Sequence, residues 1–411
     1  MSIDVEAVRA RYPVLDRELD GRRLVYLDSA ASSLTPESVL AAMDHYYRWS
    51  RSNVHRGVYP LAEEATDLYE GARSDLARFL DADPRGVVFT KNATEACNLL
   101  AYGYVRAHLG PEDVVLSTVM EHHANLVPFT EAAHAVGAEL RHIPLTEDGQ
   151  LDLEVAAELL ADGRVTFAAF IHVSNVLGTI NDVARLTAMI RDANERAVVH
   201  VDGAQAAPHL PLSFRELGVD SYAITGHKLL APTGIGALVA RPELLERMEP
   251  FLTGGDMIRD VTLEGATWND VPHRFEAGTP MIAEAAGLSA ALAELEALGM
   301  DEIRAHEREL TAAMLDALAT VPGVRVHGPK DVNLRGSAVS FVLEGIHPHD
   351  VGAMLGSRGV CVRVGHHCTK PLMRCLEVAA TTRASAYIYN DVDDLEPLVE
   401  GIEAAAAFFA R

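Results

Sequence analysis

Short apolar runs alternate with longer amphipathic stretches along the first part of this chain, and this alternation restricts the fold more than any other feature. The apolar runs lie at Val87–Thr90, 113–116, 165–173, 197–201, Ser221–Thr225 and Gly236–Ala240. The stretches between them, such as residues 93–108 and 151–160, have the periodicity of helices. Continuous apolar strands separated by helices are typical of a mostly parallel sheet covered on both faces. We therefore predict an α/β fold.

The pattern changes beyond about Leu288. A long helical stretch over residues 288–319 precedes apolar runs at 324–328, Ala338–Leu343 and 360–364, and a final helix is predicted over Leu395–Phe409. Because 411 residues exceed what one ordinary core holds, we predict a large domain over residues 24–290 and a smaller α+β domain over residues 291–411. Residues 1–23 lack a partner of their own and are predicted to pack on the smaller domain.

The charge of the chain restricts its partners. Its 35 basic and 59 acidic side chains give a formal net charge of -24, which repels phosphate backbones and argues against nucleic-acid binding. The first residues contain no apolar core of a secretory signal, and no run approaches the roughly 18 consecutive apolar residues that a membrane helix needs. We expect a protein of the cytoplasm that does not bind membranes.

Cysteine usage agrees with a reducing compartment. The four cysteines are Cys97, Cys361, Cys368 and Cys375. In a chain of this length they do not form a disulfide framework, and their spacings match no zinc-binding pattern. A thiol in a reducing compartment is free to act chemically. Cys97 and Cys375 fall in apolar helical segments, so we interpret both as core residues.

Two ionisable residues follow apolar strands. Asp202 ends the strand that begins near Val198, and Lys228 follows the strand Ser221–Thr225 through a Gly-His pair. Ligands of open α/β sheets bind outside the carboxyl ends of strands. A helix cap for Asp202 and a surface loop for Lys228 are the structural alternatives. Together the two predict pyridoxal 5′-phosphate (PLP), which needs an amine for its aldehyde and a carboxylate for its pyridine nitrogen.

The phosphate group of such a cofactor needs hydrogen-bond donors. The residues after the strand Val87–Thr90 open a helix, so the backbone N–H groups from Ala93 onward and the Thr94 hydroxyl form an anion site. Capping of the helix is an alternative role that is compatible with it. Thr225 and His227, just before the lysine, add further donors.

Three more polar residues follow strands. Gln205 lies three residues after Asp202 and is expected to donate to the phenolate oxygen of the cofactor, with a loop amide as the alternative. One of the adjacent His122 and His123 is expected to stack on the pyridine ring and to exchange protons. A metal site at this pair is the alternative, and no third ligand is evident.

Short motifs extend nearly from end to end of the chain. They are YLDSAA at 26–31, HRG at 55–57, EHHAN at 121–125, VSN at 173–175, VDGAQ at 201–205, GHK at 226–228, RFEAGTP at 274–280, RVGHHC at 363–368 and RAS at 383–385. By these motifs the chain resembles the class V aminotransferase family of PLP enzymes (PLP-dependent transferase fold type I). Within it, the last two motifs resemble the SufS-type (group II) cysteine desulfurases, relatives of selenocysteine lyases. The implied fold has a seven-stranded-type sheet in the large domain and a smaller α+β domain.

The resemblance implies a role for each cofactor residue. Lys228 would hold PLP and move the Cα proton of the substrate, Asp202 would pair with the pyridinium, and Gln205 would bind the phenolate oxygen. His122, the first of the pair, would stack on the ring and act as acid and base. The phosphate ligands implied are Ala93, Thr94, Thr225 and His227, with Thr279 reaching the phosphate of the other subunit of a homodimer.

The resemblance also implies a substrate site. Arg383 and Asn175 would hold the carboxylate of L-cysteine, Arg363 would line the pocket, and Cys368 would attack the substrate sulfur. The products would be L-alanine and a persulfide on Cys368. A small sulfur-acceptor protein would then take the sulfur, for iron–sulfur cluster assembly or for a dedicated biosynthetic pathway.

The chemistry of the residues supports part of this substrate site independently of the resemblance. A planar guanidinium binds a carboxylate through two hydrogen bonds, as an amino-acid enzyme requires. Arg363 has the alternative of a solvent-facing strand residue, and strand periodicity places it on the same face as Cys361. Cys361 is interpreted as a packing residue. Cys368 lies in a loop with basic neighbours, which favour the nucleophilic thiolate over a structural thiol.

Two other functions stay open at this point. The first is another PLP reaction on the same fold, such as transamination, racemisation or selenocysteine cleavage. The second is a non-catalytic PLP-fold protein that acts as a sulfur-transfer scaffold, which the set of Asp202, Lys228, Cys368 and Arg383 argues against.

Overall fold

The computed structural model describes residues 3–19 and 21–409. The strands are β1 (Glu18–Leu19), β2 (Arg22–Arg23), β3 (Val25–Tyr26), β4 (Val87–Thr90), β5 (Val114–Thr118), β6 (Glu139–Ile143), β7 (Val165–Ile171), β8 (Val198–Asp202), β9 (Ser221–Thr225), β10 (Gly236–Ala240), β11 (Ile258–Val261), β12 (Ala266–Trp268), β13 (Val324–Val326), β14 (Ala338–Leu343), β15 (Val360–Cys361), β16 (Arg363–Gly365) and β17 (Thr381–Ser385).

The helices are α1 (Val5–Arg9), α2 (Glu37–His45), α3 (Pro60–Phe79), α4 (Ala93–Leu100), α5 (Arg106–His108), α6 (His123–Val136), α7 (Leu153–Leu160), α8 (Val183–Ala193), α9 (Phe214–Leu217), α10 (Pro242–Arg247), α11 (Ile282–Leu298), α12 (Met300–Ala319), α13 (Pro348–Gly356), α14 (Lys370–Cys375) and α15 (Leu395–Phe409). No helix among the described residues is long and apolar enough to cross a membrane.

A seven-stranded sheet forms the centre of the first part of the chain. Its strand order is β4-β10-β9-β8-β7-β5-β6. Strands β9, β8, β7, β5 and β6 run parallel, and β10 pairs antiparallel with both β9 and β4. Every residue of β8 and β9 is buried, because helices cover both faces. The prediction of a mostly parallel sheet in an α/β fold is confirmed.

A smaller antiparallel sheet lies in the C-terminal part. Its order is β13-β14-β17-β16, and it shares a core with α12, α13 and α15 through residues such as Leu310, Phe341 and Leu398. The start of the chain contacts both parts: Val8 packs in the core of the larger sheet, and Arg9 Nη1 donates to Tyr389 O at 2.9 Å. The predicted domain limits, and the placement of residues 1–23 on the smaller domain, stay predictions.

Three predicted elements differ in the structure. Residues 360–364 form two strands rather than one: β15 pairs in parallel with β3, whereas β16 pairs with β17. The alternation that placed Cys361 and Arg363 on one face therefore does not run through a single strand. The long helical stretch is two helices, separated at Gly299, whose φ of 84° suits glycine. The stretch over 93–108 contains a π-helical turn at Ala101–Val105.

The two cysteines that were predicted to lie in the core differ in their burial. Cys97 is fully buried, which confirms its prediction. Cys375 is exposed, so its prediction is wrong. The reason is that Cys375 ends the short helix α14, whose buried residues are Leu372 and Met373.

Candidate active site

A cavity of about 280 Å³ opens at the carboxyl ends of β8 and β9. The predicted site residues that line it are Ala93, Thr94, His122, Asn175, Asp202, Gln205, Thr225, His227 and Lys228. Four other predicted site residues are not among the described residues that line this cavity: Thr279, Arg363, Cys368 and Arg383. The fold thus brings together nine predicted site residues from five separate segments of the sequence.

Asp202 is the last residue of β8 and is 2% exposed. Its Oδ1 accepts a hydrogen bond of 3.0 Å from the Ala204 N–H, which orients the carboxylate. Burial raises the pKa of Asp202, and the Lys228 ammonium opposes that rise. Gly203 is required next to it, because a Cβ there would collide with the Tyr222 ring. A buried carboxylate of this kind is stabilised by a cation placed against it.

Lys228 ends the 3₁₀ turn Gly226–Lys228 that follows β9. Removal of its ammonium group from water lowers the pKa of Lys228 to about 8, against the opposing effect of the Asp202 charge. A neutral amine is therefore available at a pH where an exposed lysine is charged. The neutral amine is the form that attacks a carbonyl group.

Hydrogen-bond donors collect at one end of the cavity. Helix α4 begins there with Ala93, and Asn92 Oδ1 caps it by accepting from the Glu95 N–H at 3.0 Å. The Thr225 hydroxyl is buried and has no hydrogen-bond partner in the described part of the chain. Burial lowers the pKa of His227 to about 4, so its ring is neutral. A phosphate at this end would receive donors that the protein leaves free.

Two other predicted phosphate ligands are exposed threonines. Thr94 lies in the first turn of α4 and lines the cavity. Thr279 lies in the loop before α11, where it lines a different cavity together with Lys91 and Glu95. The expected contact of Thr279 with another subunit stays a prediction.

Gln205 is buried at 3% exposure beside Asp202. Its Nε2 donates to Ala30 O at 2.6 Å, which fixes the amide. This bond uses one of the two N–H groups of the amide, so the other remains for a ligand in the cavity.

His122 lies directly before α6 and caps it. Its Nδ1 accepts a hydrogen bond of 3.1 Å from the Ala124 N–H, which assigns the proton of the neutral ring to Nε2. Burial, together with the charge of Lys228, lowers the pKa of His122 to about 3. The ring is therefore neutral at physiological pH, and a neutral flat ring in the wall of the cavity is suited to stacking.

His123 has a different task, because it holds the loop of Cys368. Its backbone N–H donates to Cys368 O at 2.8 Å, and its Nε2 accepts from the Lys370 N–H at 3.1 Å. The start of α6 thus presents one histidine to the cavity and binds the cysteine loop with the next.

Among the described residues, one group of side chains comes close enough to hold a metal ion, and it includes neither His122 nor His123. It consists of His55, Glu70 and His273. Glu70 already accepts from Arg73 Nε at 2.8 Å and lies 2.9 Å from His55 Nε2. These contacts satisfy the carboxylate without an ion.

Arg383 lies on β17 and is 3% exposed. Its Nη1 donates to Asn175 O at 2.8 Å, and its Nη2 lies 3.4 Å from Asp28 Oδ1. Its Nε is buried without a hydrogen-bond partner among the residues that the structure describes. Burial lowers the pKa of Arg383 to about 10, which leaves the guanidinium charged at neutral pH. A charged group with a free N–H is suited to bind a carboxylate.

Asp28 was not predicted as a site residue, and it joins two that were. Arg363 lies opposite Arg383 on the neighbouring strand, and its Nη2 is 2.8 Å from Asp28 Oδ2. The carboxylate therefore neutralises two arginines that would otherwise repel each other. The side chain of Arg363 is 52% exposed, so it extends from the protein toward solvent. The signal for Asp28 in the sequence is an acidic residue directly after an apolar run at 25–27.

Asn175 connects the cavity with the loop of Cys368. Its Nδ2 donates to His367 O at 2.8 Å, and its own backbone carbonyl accepts from Arg383. Its Oδ1 is buried and has no hydrogen-bond partner within residues 3–19 and 21–409. One amide N–H and one oxygen are thus left for a ligand.

The backbone at His367 and Cys368 is strained. Both residues adopt the left-handed conformation, with φ of 49° and 57°, and non-glycine residues rarely do so. His367 Nε2 lies 2.9 Å from Thr381 Oγ1, which helps to hold the turn. The Cys368 thiol is exposed, on a loop that Asn175 and His123 bind through hydrogen bonds.

The chain matches the family model described as aminotransferase class-V over residues 25–398. The chain belongs to this family. A protein of Halobacterium salinarum named "probable cysteine desulfurase" is 48% identical over 410 residues, which cover 99% of this chain and 98% of the relative. A cysteine desulfurase of Haloferax volcanii is 44% identical over 422 residues, with 99% and 98% covered.

Solved structures of family members are closely similar. The cysteine desulfurase CsdA of Escherichia coli, in an S-sulfonic acid form, has a TM-score of 0.91 and 38% identity, with 99% of this chain and 100% of the other covered. The apo cysteine desulfurase of Thermococcus onnurineus has a TM-score of 0.93 and 37% identity, with 99% of each chain covered. The fold expected from the sequence motifs is therefore the fold of this family.

Proposed function

We propose that this protein is a cysteine desulfurase, which transfers sulfur from L-cysteine to Cys368 and releases L-alanine. One observation carries the proposal: Asn175 lines the cavity of Lys228 and Asp202 and also binds the loop that presents Cys368. An amine and a carboxylate thus lie in one small cavity, and the loop that carries the thiol is bound to a residue of its wall. The names of the full-length relatives support the same activity.

The residues of the cavity fit PLP. The buried Asp202 carboxylate suits a protonated pyridine nitrogen, and the unpartnered Thr225 hydroxyl and the start of α4 suit a phosphate. The depressed pKa of Lys228 suits an amine that bonds to an aldehyde. Bound there, PLP would supply a ring that accepts electrons from the substrate. Gln205 would donate its remaining N–H, and the neutral ring of His122 would cover one face.

The protein groups hold and move protons at defined atoms. Asp202 keeps its charge against the pyridine nitrogen, because a cation there offsets the cost of its burial. Lys228 Nζ, once free, is the base that takes the Cα proton of the substrate. His122 carries its proton on Nε2 and can donate it, since Nδ1 is occupied by the Ala124 N–H.

Arg383 binds the carboxylate of L-cysteine and so fixes which atom meets the thiol. The unpartnered Nε of Arg383 would donate a first hydrogen bond to the substrate carboxylate. Nη2, which now contacts Asp28, would donate a second one in place of that contact. The amide of Asn175 adds a further N–H. Arg363, half exposed on the neighbouring strand, lines the entrance and keeps Asp28 paired.

Cys368 is the sulfur acceptor. Its Sγ attacks the sulfur of the substrate, the carbon–sulfur bond breaks, and the methyl carbon of alanine receives a proton. The substrate sulfur and Cys368 Sγ are each oxidised by one electron from thiol to persulfide, and the β-carbon of the substrate is reduced by two electrons, so that atoms and electrons balance. An exposed loop suits the later transfer of this sulfur to a small acceptor protein, for iron–sulfur cluster assembly in the cytoplasm.

The active unit in this proposal is a homodimer, in which Thr279 reaches the phosphate of the other subunit. The exposure of Thr279 supports this, because its hydroxyl is open to a second chain. Mixing Lys228→Ala with Thr279→Ala subunits and measuring activity tests it. Heterodimers should regain part of the activity, and a monomer that is fully active at high dilution would contradict the shared site.

The activity is tested by incubating the protein with L-cysteine and measuring sulfide and alanine. Equal amounts of alanine and released sulfur in the presence of a reductant support a desulfurase. Pyruvate or a racemised amino acid would indicate another reaction of the family, and activity with selenocysteine alone would indicate a lyase. A colourless protein after supplementation with PLP would indicate a non-catalytic sulfur-transfer scaffold.

A further inference from the structure

A line of polar side chains crosses the apolar layer between the seven-stranded sheet and helices α4 and α6. Other side chains of this layer include Val88, Val115 and Phe167. Each polar member is 1% exposed or less, and none is a site residue named above. We name these five side chains the buried relay: Ser221, His200, Cys97, Asn125 and Glu121.

The hydrogen bonds of the buried relay all donate in one direction along it, from Ser221 toward Glu121. Cys97 S–H donates to Asn125 Oδ1 at 3.7 Å, and Asn125 Nδ2 donates to Glu121 Oε2 at 2.6 Å. His200 Nε2 lies 3.6 Å from Cys97 Sγ, and His200 Nδ1 lies 2.9 Å from Ser221 Oγ. Because the thiol already donates to Asn125, it accepts from His200 Nε2–H, and Ser221 donates to Nδ1.

Glu121 ends the relay as an acceptor. Its Oε1 accepts from the Thr118 hydroxyl at 2.6 Å and from the Ile171 N–H at 3.0 Å, and its Oε2 accepts from Asn125. These donors favour the carboxylate, whereas burial and the charge of Asp202 raise the pKa of Glu121, to about 8. Glu121 therefore changes its charge as the pH passes through about 8.

The relay residues lie on the elements that carry the site residues. These elements are α4, whose first turn contains Thr94, α6, which His122 caps, β8, which ends at Asp202, and β9, which leads to Lys228. A shift of any relay contact would therefore displace at least one wall of the cavity.

We propose that the buried relay holds these four elements in register and couples the charge of Glu121 to Asp202, so that Glu121, Cys97 and His200 are positioning residues. The proposal rests on the proposed function, in which Asp202 pairs with the pyridine nitrogen. The charge of Asp202 favours a proton on Glu121, and by reciprocity a proton on Glu121 favours the charged form of Asp202.

Two of the neighbouring titratable groups, Glu121 and Lys228, have pKa values shifted to about 8, and the variant Glu121→Gln separates their effects. Burial lowers the pKa values of the histidines to about 3 or 4 and raises that of the cysteine well above its usual range, so these groups stay neutral near pH 7. Asp202 carries the remaining negative charge, opposite the Lys228 ammonium. The titratable groups on the elements around Glu121 are Cys97, His122, His172, His200, Asp202, Tyr222 and Lys228.

The test is infrared spectroscopy of the purified full-length protein in the S–H stretching region, at a series of pH values. The difference between wild type and Cys97→Ala isolates the Cys97 band, and Cys97→Ser, which also lacks the S–H group, replaces it if the alanine variant does not fold. We expect the band to move to lower wavenumber as the pH rises through about 8. The reason is that a Glu121 carboxylate polarises the Asn125 amide and makes its oxygen a stronger acceptor.

Two further variants separate the relay from general effects on the fold. The first is Glu121→Gln, in which the Cys97 band is again isolated as the difference between spectra with and without Cys97→Ala. That band should not move with pH. Ser117→Ala is the matched control, because it removes a buried hydroxyl of β5 that has no hydrogen-bond partner among the described residues. Its Cys97 band should move as in the wild type.

A second measurement, the affinity for PLP, tests the effect of the relay on the candidate site. Loss of one relay bond in Cys97→Ala should weaken PLP binding by about two- to tenfold, and Cys97→Ser, which can still donate and accept, should recover part of it. A wild-type band that stays fixed across the pH series, or that moves equally in Glu121→Gln, would overturn the proposal. Neither measurement requires turnover of cysteine, so a failure of the relay and a failure of the proposed function give different results.

Discussion

The backbone carbonyl of Asn175 accepts a hydrogen bond of 2.8 Å from Arg383 Nη1, while the side chain of Asn175 donates to His367 O at the same distance. One residue thus ties the arginine that is proposed to bind substrate to the loop that presents Cys368. Its position fixes both relative to the cavity of Lys228.

Replacing Asn175 should therefore affect chemistry more than PLP binding. Asn175→Ala removes the side-chain bond to His367 and leaves the backbone bond to Arg383 in place. We expect a lower rate of alanine formation with little change in PLP content, because the strained turn at Cys368 loses a support of about 0.5–1.5 kcal/mol. Steady-state kinetics beside the visible spectrum measure both. Equal loss of PLP and of rate would mean that the residue acts on the cofactor instead.

Replacing Arg383 should weaken the binding of cysteine. Arg383→Ala removes a charge-assisted partner worth about 1.5–3 kcal/mol, so the KM for L-cysteine should rise by roughly 10- to 100-fold while PLP remains bound. The matched comparison is Arg363→Ala, whose side chain is half exposed and should have the smaller effect. An unchanged KM in Arg383→Ala would count against the carboxylate role.

The rate of PLP attachment should depend on pH through Lys228. The pKa of its amine is lowered to about 8, so the neutral, nucleophilic form increases as the pH rises through that value. After removal of the cofactor, the rate at which added PLP is incorporated should increase from pH 6 to 9 with a midpoint near 8. Asp202→Asn removes the charge that favours the ammonium, so its midpoint should lie lower. A midpoint near 10 in the wild type would contradict the depressed pKa.

The sequence predicted most of the cavity, because parallel strands deliver their following residues to one edge of a sheet. Asp202, Lys228 and Thr225 could be found in this way. Strand β17 could not, since its Thr-Thr-Arg-Ala-Ser sequence is polar, yet every residue of it is buried. Its burial depends on partners from distant segments, such as Asn175 for Arg383.

The same limit explains the other differences. Asp28 joins the candidate site only because β16 and β17 place two arginines side by side, and a single sequence does not show that pairing. Residues 360–364 are apolar enough for a single strand, but the chain passes from one sheet to another between Cys361 and Arg363. The local sequence pattern determines neither the pairing of the two arginines nor this change of sheet, since both depend on which strands pair.

The account depends most on Cys368, and intact-protein mass spectrometry after a single exposure to L-cysteine tests it most directly. Wild-type protein should release one alanine per chain and gain the mass of one sulfur, located by peptide mapping on Cys368 and removed by reductant. Cys368→Ala should keep bound PLP and still bind cysteine, yet gain no sulfur and release no alanine. Sulfur located on Cys97, Cys361 or Cys375, or full alanine release by Cys368→Ala, would contradict the account.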